Sequence, residues 1–248
     1  KKDCDYLCDG ENDQEEIMQA LYALPGTGGE VVILDGTYNI TASINIPKDN
    51  VSLRGNGNAT ILKRMYNSTS ENSGDTARGL ITLNGKSGCK IQGLQIDGDK
   101  SKYSASYNYG IYLTSSSNNN TVTGNTCNNS SNSGIYLSSS SNNTVTGNAC
   151  NDNSNSGIYL SSSSNDNTVT GNTCNNNNRG IYLSSSSNNN TVTGNTCNNN
   201  DGYGIYLSSS NNDNTVTGNT CNNNNNYGIC LYSSSNNTVT GNTCNNSK

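Results

Sequence analysis

Between Asn118 and Cys244 the apolar positions are few and fall at fixed places. Thr121-Val122-Thr123-Gly124-Asn125-Thr126-Cys127 recurs in the same frame at Val145/Cys150, Val169/Cys174, Val192/Cys197, Val216/Cys221 and Val239/Cys244. The steps between these cysteines are 23, 24, 23, 24 and 23 residues. A second phrase alternates with the first: Gly110-Ile111-Tyr112-Leu113, repeated at Gly134, Gly157, Gly180 and Gly204, and as Gly228-Ile229-Cys230-Leu231. A valine between two threonines reads polar-apolar-polar, a short strand with one buried face, and Ile111 and Leu113 flank an outward Tyr112 in the same way. No run in this region has helical spacing. Two short strands per repeat, joined by turns rich in Asn, Ser and Gly, predict an all-β solenoid with one parallel β-helix coil per repeat.

In such a stack identical residues lie over one another, about 4.8 Å apart. The sequence therefore predicts ladders of Val, Ile and Leu, and an inward cysteine ladder of Cys127, Cys150, Cys174, Cys197, Cys221 and Cys244. Asn125, Asn148, Asn172, Asn195, Asn219 and Asn242 form a further ladder whose amides can bond along the axis. Tyr112, Tyr136, Tyr159, Tyr182 and Tyr206 form an outward aromatic stripe. It reads either as a contact surface for sugar rings or as stacking that stabilises the sheet. The ladder cysteines read equally as stacked thiols or as bridges between adjacent coils.

The first 109 residues are less regular. Cys4 and Cys8 lie in a polar start. One helix is predicted over about 14–24, with Asn12 and Glu15 as a capping box, an apolar stripe of Ile17, Ala20, Leu21 and Leu24, and Pro25-Gly26 as its stop. Strands follow at 30–34, 37–40 and 43–46. Val51-Ser52-Leu53-Arg54-Gly55 and Lys90-Ile91-Gln92-Gly93-Leu94-Gln95-Ile96 fit the later frame, with Leu94 in the Asn125 place and Ile96 in the Cys127 place. Residues 66–78 and 97–109 read as insertions. The chain divides into an N-terminal segment with capping helix (1–30), irregular coils (31–109) and regular coils (110–248).

The opening, with its amphipathic helix followed by Gly28-Gly29-Glu30-Val31 and Gly36-Thr37-Tyr38, resembles the start of the pectate-lyase-type right-handed parallel β-helix superfamily. The later coils resemble the Asn-rich repeats of secreted and archaeal surface β-helix proteins. The resemblance spans essentially the whole chain and implies a right-handed coil with a helix closing its N-terminal end. Enzymes of that superfamily use clustered carboxylates, often with calcium and an Arg or Lys base. Here the acids of the repeats, Asp152, Asp166, Asp201 and Asp213, are scattered in turns, and Arg179 is the one basic residue between Lys102 and Lys248. Asp97 and Asp99 are the one acidic pair worth testing.

Composition narrows the partners. The chain is 29% hydrophobic and 12% charged, carries a net charge of −5, and has no His, Trp or Phe. Few cations in the repeats argue against nucleic acid, and no apolar run is long enough to insert in a membrane. Ten cysteines and many Asn-x-Ser/Thr triplets point to a secreted, extracellular or cell-surface protein. The candidate glycosylation sites are Asn39, Asn58, Asn67, Asn119, Asn128, Asn142, Asn189 and Asn236. The start at Lys1 implies either a removed leader or a chain that begins there. Without His or chelating Cys spacing, neither a metal site nor a cofactor is expected.

Cys4, Cys8 and Cys230, the last in a tyrosine place, are candidates for disulfides to another chain; Cys4 and Cys8 could also pair with each other, Cys230 could bond either of them, and a plain substitution is the other reading of Cys230. The open coil at residues 245–248 suggests docking by a second copy, a homopolymer built head to tail. These features together predict a non-enzymatic structural protein, a subunit of an extracellular filament, sheath or surface layer. The alternative is a secreted protein that binds or cleaves polysaccharide. The regular Thr-x-Thr array raises ice binding as a lesser alternative.

Overall fold

A computed structural model of the chain describes residues 4–68 and 77–247. Among them, one helix, Gln14–Ala23, precedes strands that form an 11-stranded and an 8-stranded sheet. Every registered pair is parallel, and the repeats pair in phase. Val122, Val145, Val169, Val192, Val216 and Val239 follow one another across the larger sheet. Ile111, Ile135, Ile158, Ile181, Ile205 and Ile229 do so across the smaller. This is a right-handed parallel β-helix with a short N-terminal helix, as the periodicity and the resemblance predict. The early coils keep the expected frame: Leu53 lies opposite Ile91, Ile91 opposite Val122, and Ile96 opposite Cys127.

The interior is a thin column. The ladder residues Val122 to Val216, Ile111 to Ile205, Leu113 to Leu207 and Cys127 to Cys221 have no solvent exposure, and of these ladders only the last coil, with Val239 and Leu231, is uncovered. These cysteines stand as thiols rather than inter-coil bridges. Burial pushes the Cys127, Cys150 and Cys174 thiols well above their ordinary pKa.

Polar ladders complete the column. Oδ1 of Asn148 accepts from the backbone N of Asn125 at 3.0 Å and from its Nδ2 at 3.1 Å. Nδ2 of Asn148 donates to Val122 O at 2.9 Å and to Asn172 Oδ1 at 3.0 Å. Each amide thus serves both the coil before and the coil after, which removes the penalty of burying it. Two further Asn ladders of the same kind, through Asn143 and Asn167 and through Asn153 and Asn177, were not singled out from the sequence. Their signal was the same 23–24-residue recurrence.

Two glycines show two different demands. Gly171, in the bend before Asn172, has φ +61 with open space around its Cα. At Gly157 a Cβ would lie 2.7 Å from Cys174 Cβ and 2.8 Å from Gly180 O, so only glycine allows that coil to close on the next.

The helix start differs from the expected capping box. Asn12 is at φ 56 and the N-cap is Asp13, which makes no side-chain cap bond to the helix. Asp13 turns instead to the first coil, accepting from Gly10 N at 2.8 Å and Asn39 N at 2.6 Å. Ile17 and Leu21 are the buried apolar residues of the helix, with Leu24 only partly covered. Of the expected insertion at 66–78, residues 69–76 lie outside the described residues.

Candidate functional site

The acidic pair lies on the outer face of the larger sheet. In strand Val51–Arg64, Leu62 is buried and Lys63 faces out. In strand Lys90–Asp97, Ile96 is buried and Asp97 faces out. Register sets Lys63 beside Asp97 and Asp97 beside Asn128, one outward row over three coils. The chain then turns at Asp99, with φ 42, which brings its carboxylate back over the row. Oδ2 of Asp99 lies 3.4 Å from Nζ of Lys63. Asp97 Oδ1 accepts from Asp99 N at 3.1 Å and from Asn129 Nδ2 at 3.2 Å, while Ser101 Oγ donates to Asp99 Oδ1 at 3.1 Å. Lys63 was not among the sequence candidates. Its proximity arises from strand register between Lys63 and Asp97, 34 residues apart, which no local motif announces.

The 97–109 insertion walls this patch, and a buried cation anchors it. Arg64, fully buried, donates through Nη2 to Tyr109 O at 2.6 Å and Arg78 O at 3.2 Å, and through Nη1 to Asn108 Oδ1 at 3.4 Å. Its guanidinium sits 4.4 Å from the Tyr66 ring centroid. Burial lowers its pKa. Asn108 also accepts from Ser68 N at 2.8 Å and donates to Tyr103 O at 3.0 Å, so the two insertions share one buried hub. Of the thirteen Lys and Arg, nine lie from Lys48 to Lys102 (Lys48, Arg54, Lys63, Arg64, Arg78, Lys86, Lys90, Lys100 and Lys102). An acidic chain therefore carries its positive charge in the coils that hold the Asp97/Asp99 pair.

The other sequence candidates are placed elsewhere. The tyrosines do form a stripe, but they are less outward than expected: Tyr112 has no exposure, and the rest are half-buried. The rings of Tyr136, Tyr159, Tyr182 and Tyr206 are stacked at 4.7–5.2 Å between centroids. Tyr159 and Tyr182 pair their hydroxyls with Ser184 and Ser208 of the following coil, each at 2.9 Å. Stacking uses both faces of each interior ring, and sugar rings need an open face, so the stripe serves the sheet. Arg179 lies 4.6 Å from the Tyr182 ring. Cys230 takes the register place beside Tyr206 and is half-buried.

Asp152, Asp166 and Asp213 occupy left-handed turn positions (φ 57–58), which accounts for their scatter. Asn119, Asn142, Asn189 and Asn236 hold the exposed turn positions equivalent to Asp166 and Asp213. Asn58 accepts from Thr126 Oγ1 at 3.0 Å, and Asn67 from Ala105 N at 3.0 Å. Asn39 donates to Gly10 O, and Asn128 accepts from Asn151 N, both at 2.9 Å. In the threonine array, Thr193 Oγ1 bonds Thr217 O at 3.0 Å. Among the described residues no helix is long and apolar enough to cross a membrane.

Solved structures share this coil stack. The mannuronan C-5 epimerase AlgE4 A-module of Azotobacter vinelandii is 18% identical, with TM-score 0.75, over 97% of this chain and 76% of that one. The AlgE6 A-module of the same organism is 20% identical, with TM-score 0.74, over 99% and 76%. The enzymatically active domain of tailspike protein 2 of bacteriophage CBA120 is 15% identical, with TM-score 0.64, over 96% and 42%. No curated protein sequence matches the chain. These structures correct two expectations, that the chain is a filament, sheath or surface-layer subunit and that it is not an enzyme. Over nearly its whole length the chain shares its fold with epimerase modules and with an enzymatic tailspike domain, which favours the polysaccharide alternative over the filament. The model of the right handed beta helix region matches residues 32–220 and 164–248, and the chain belongs to that family.

Proposed function

We propose that this chain is a carbohydrate-active β-helix protein that binds an acidic polysaccharide across its early coils and acts on it at Lys63, Asp97 and Asp99. The observation that carries the reading is the convergence of these three side chains on one outward patch, walled by an insertion. A uronic acid carries an acidic proton at the carbon next to its carboxylate. Removing it needs a cation to hold the carboxylate and a base to take the proton. Lys63 supplies the cation. Asp97, oriented by Asp99 N and Asn129 Nδ2, supplies a carboxylate for the proton. Asp99 holds Lys63 in place. Return of the proton to the other face gives an epimer; loss of the neighbouring linkage gives a cleaved, unsaturated product. Similarity to proteins whose names state mannuronan C-5 epimerisation supports this reaction class. A secreted location, expected from the cysteines and triplets, suits such a substrate.

The test is incubation of the purified chain with polymannuronate, polyguluronate and polygalacturonate. Proton NMR reads epimerisation and ultraviolet absorbance reads unsaturated ends. Activity on one of them that is lost in Lys63→Met supports the proposal; absence of both activity and binding on all three overturns it.

A further inference from the structure

At the N-terminal end three metal-ligating side chains converge. The Sγ of Cys8 and one carboxylate oxygen each of Asp13 and Glu16 all lie within 4.8 Å of one another. Asp13 is 1% exposed, and its position is fixed by Gly10 N and Asn39 N. A second, independent observation concerns Glu16. Its Oε2 is shut off from solvent and accepts no hydrogen bond among the described residues. A carboxylate oxygen in that condition is costly to bury unless something compensates it. Among the described residues neither Asp13 nor Glu16 forms an ion pair with a Lys or Arg. Cys8 and Glu16 also line a cleft of about 950 Å³ between the N-terminal segment, the helix and the first strands, which gives a solvated ion a way in.

We propose that Cys8, Asp13 and Glu16 form a binding site for one divalent cation of the zinc class. The donor set decides the class. Calcium and magnesium take oxygen ligands and reject a thiolate, and a soft cation such as Cu(I) gains little from two carboxylates. A borderline ion accepts both. Binding transfers the Cys8 thiol proton to solvent and changes no oxidation state. Three protein ligands leave a fourth position for water or for Cys4. The ion ties residues 8–13 to the helix that caps the core. The sequence suggested no metal here because the ligands follow no chelating spacing. They meet because Asp13 is drawn down to the first coil.

The test is titration of the reduced, metal-free full chain with Co²⁺ and then with ZnCl₂. Expected are one equivalent bound, a near-ultraviolet thiolate-to-cobalt charge-transfer band that zinc abolishes, and a rise in Tm with zinc. Cys8→Ser should remove the band, and Glu16→Gln should weaken binding at least tenfold with the band retained at saturation. Cys230→Ser, at the other end of the molecule, should change nothing. Absence of the band in the unmodified chain overturns the proposal, as does a band that survives Cys8→Ser or disappears in Cys230→Ser. Polysaccharide activity is not the readout, so this site and the Lys63 patch stand or fall separately.

Discussion

Nζ of Lys63 and Oδ2 of Asp99 lie 3.4 Å apart although 36 residues separate them in the chain. The pair is partly solvated, with side-chain exposures of 38% and 18%, so its contribution to stability is under about 1 kcal/mol. On the proposed function, the pair serves the site rather than the fold. Lys63→Met and Asp99→Asn should each lower turnover of an acidic polysaccharide by roughly 10²-fold, and Asp97→Asn by at least as much. Thermal unfolding of all three should match the unmodified chain within about 0.5 kcal/mol. Full activity in Asp97→Asn would remove it as the proton acceptor.

The Asn ladder should be the most sensitive polar feature. Asn172 Oδ1 accepts from Asn148 N at 2.9 Å and Asn148 Nδ2 at 3.0 Å, and its own Nδ2 donates to Val145 O at 2.9 Å. Asn172→Leu strands several buried groups and should cost about 2–4 kcal/mol in denaturant unfolding. Asn176→Gly, at an exposed left-handed turn (φ 57), should be nearly neutral.

The two glycines separate steric from conformational cost. Gly157→Ala forces a Cβ against Cys174 Cβ and the Gly180 carbonyl, at 2.7 and 2.8 Å, and should abolish soluble folded protein or lower Tm steeply. Gly171→Ala meets nothing and pays only for φ +61, roughly 1–2 kcal/mol. Equal Tm losses in the two variants would contradict the coil-to-coil contact.

The buried thiols give stability a pH dependence. Burial raises the folded-state pKa of Cys127, Cys150 and Cys174, so the folded chain keeps protons that the unfolded chain loses above about pH 8.5. Stability from these groups is fully present below that value and declines as pH rises beyond it. The denaturation midpoint under reducing conditions should fall between about pH 7.5 and 9.5. A thiol reagent at neutral pH should label Cys230 and Cys244 quickly, because they are half-buried and exposed, and the five inner ladder thiols only after unfolding.

Much of this molecule could be read from its repeats. Val122, Cys127, Ile111 and Leu113 point inward because their spacing allows only that once the repeat is taken as one coil. Leu94 and Ile96 could be fitted into the same frame without any structure. The helix was legible from Ile17 and Leu21, but its cap was not. Asp13 and Asn12 serve a coil more than 25 residues away, and local capping rules do not see that far. The tyrosine stripe was legible as a stripe, though not that stacking would use the ring faces.

The sequence by itself determined the solenoid, its coil length, its ladders and its phase, because a 23–24-residue period leaves each coil one way to bury its few apolar groups. It also held the acidic pair Asp97 and Asp99. Only the tertiary structure decided their partners. Strand register brought Lys63 beside Asp97, the turn at Asp99 carried a carboxylate back to it, and burial of Arg64 and Asn108 fixed the insertion around them. The irregular coils have no repeat to announce these contacts, and there chemistry depends on which outward side chains adjacent coils bring together.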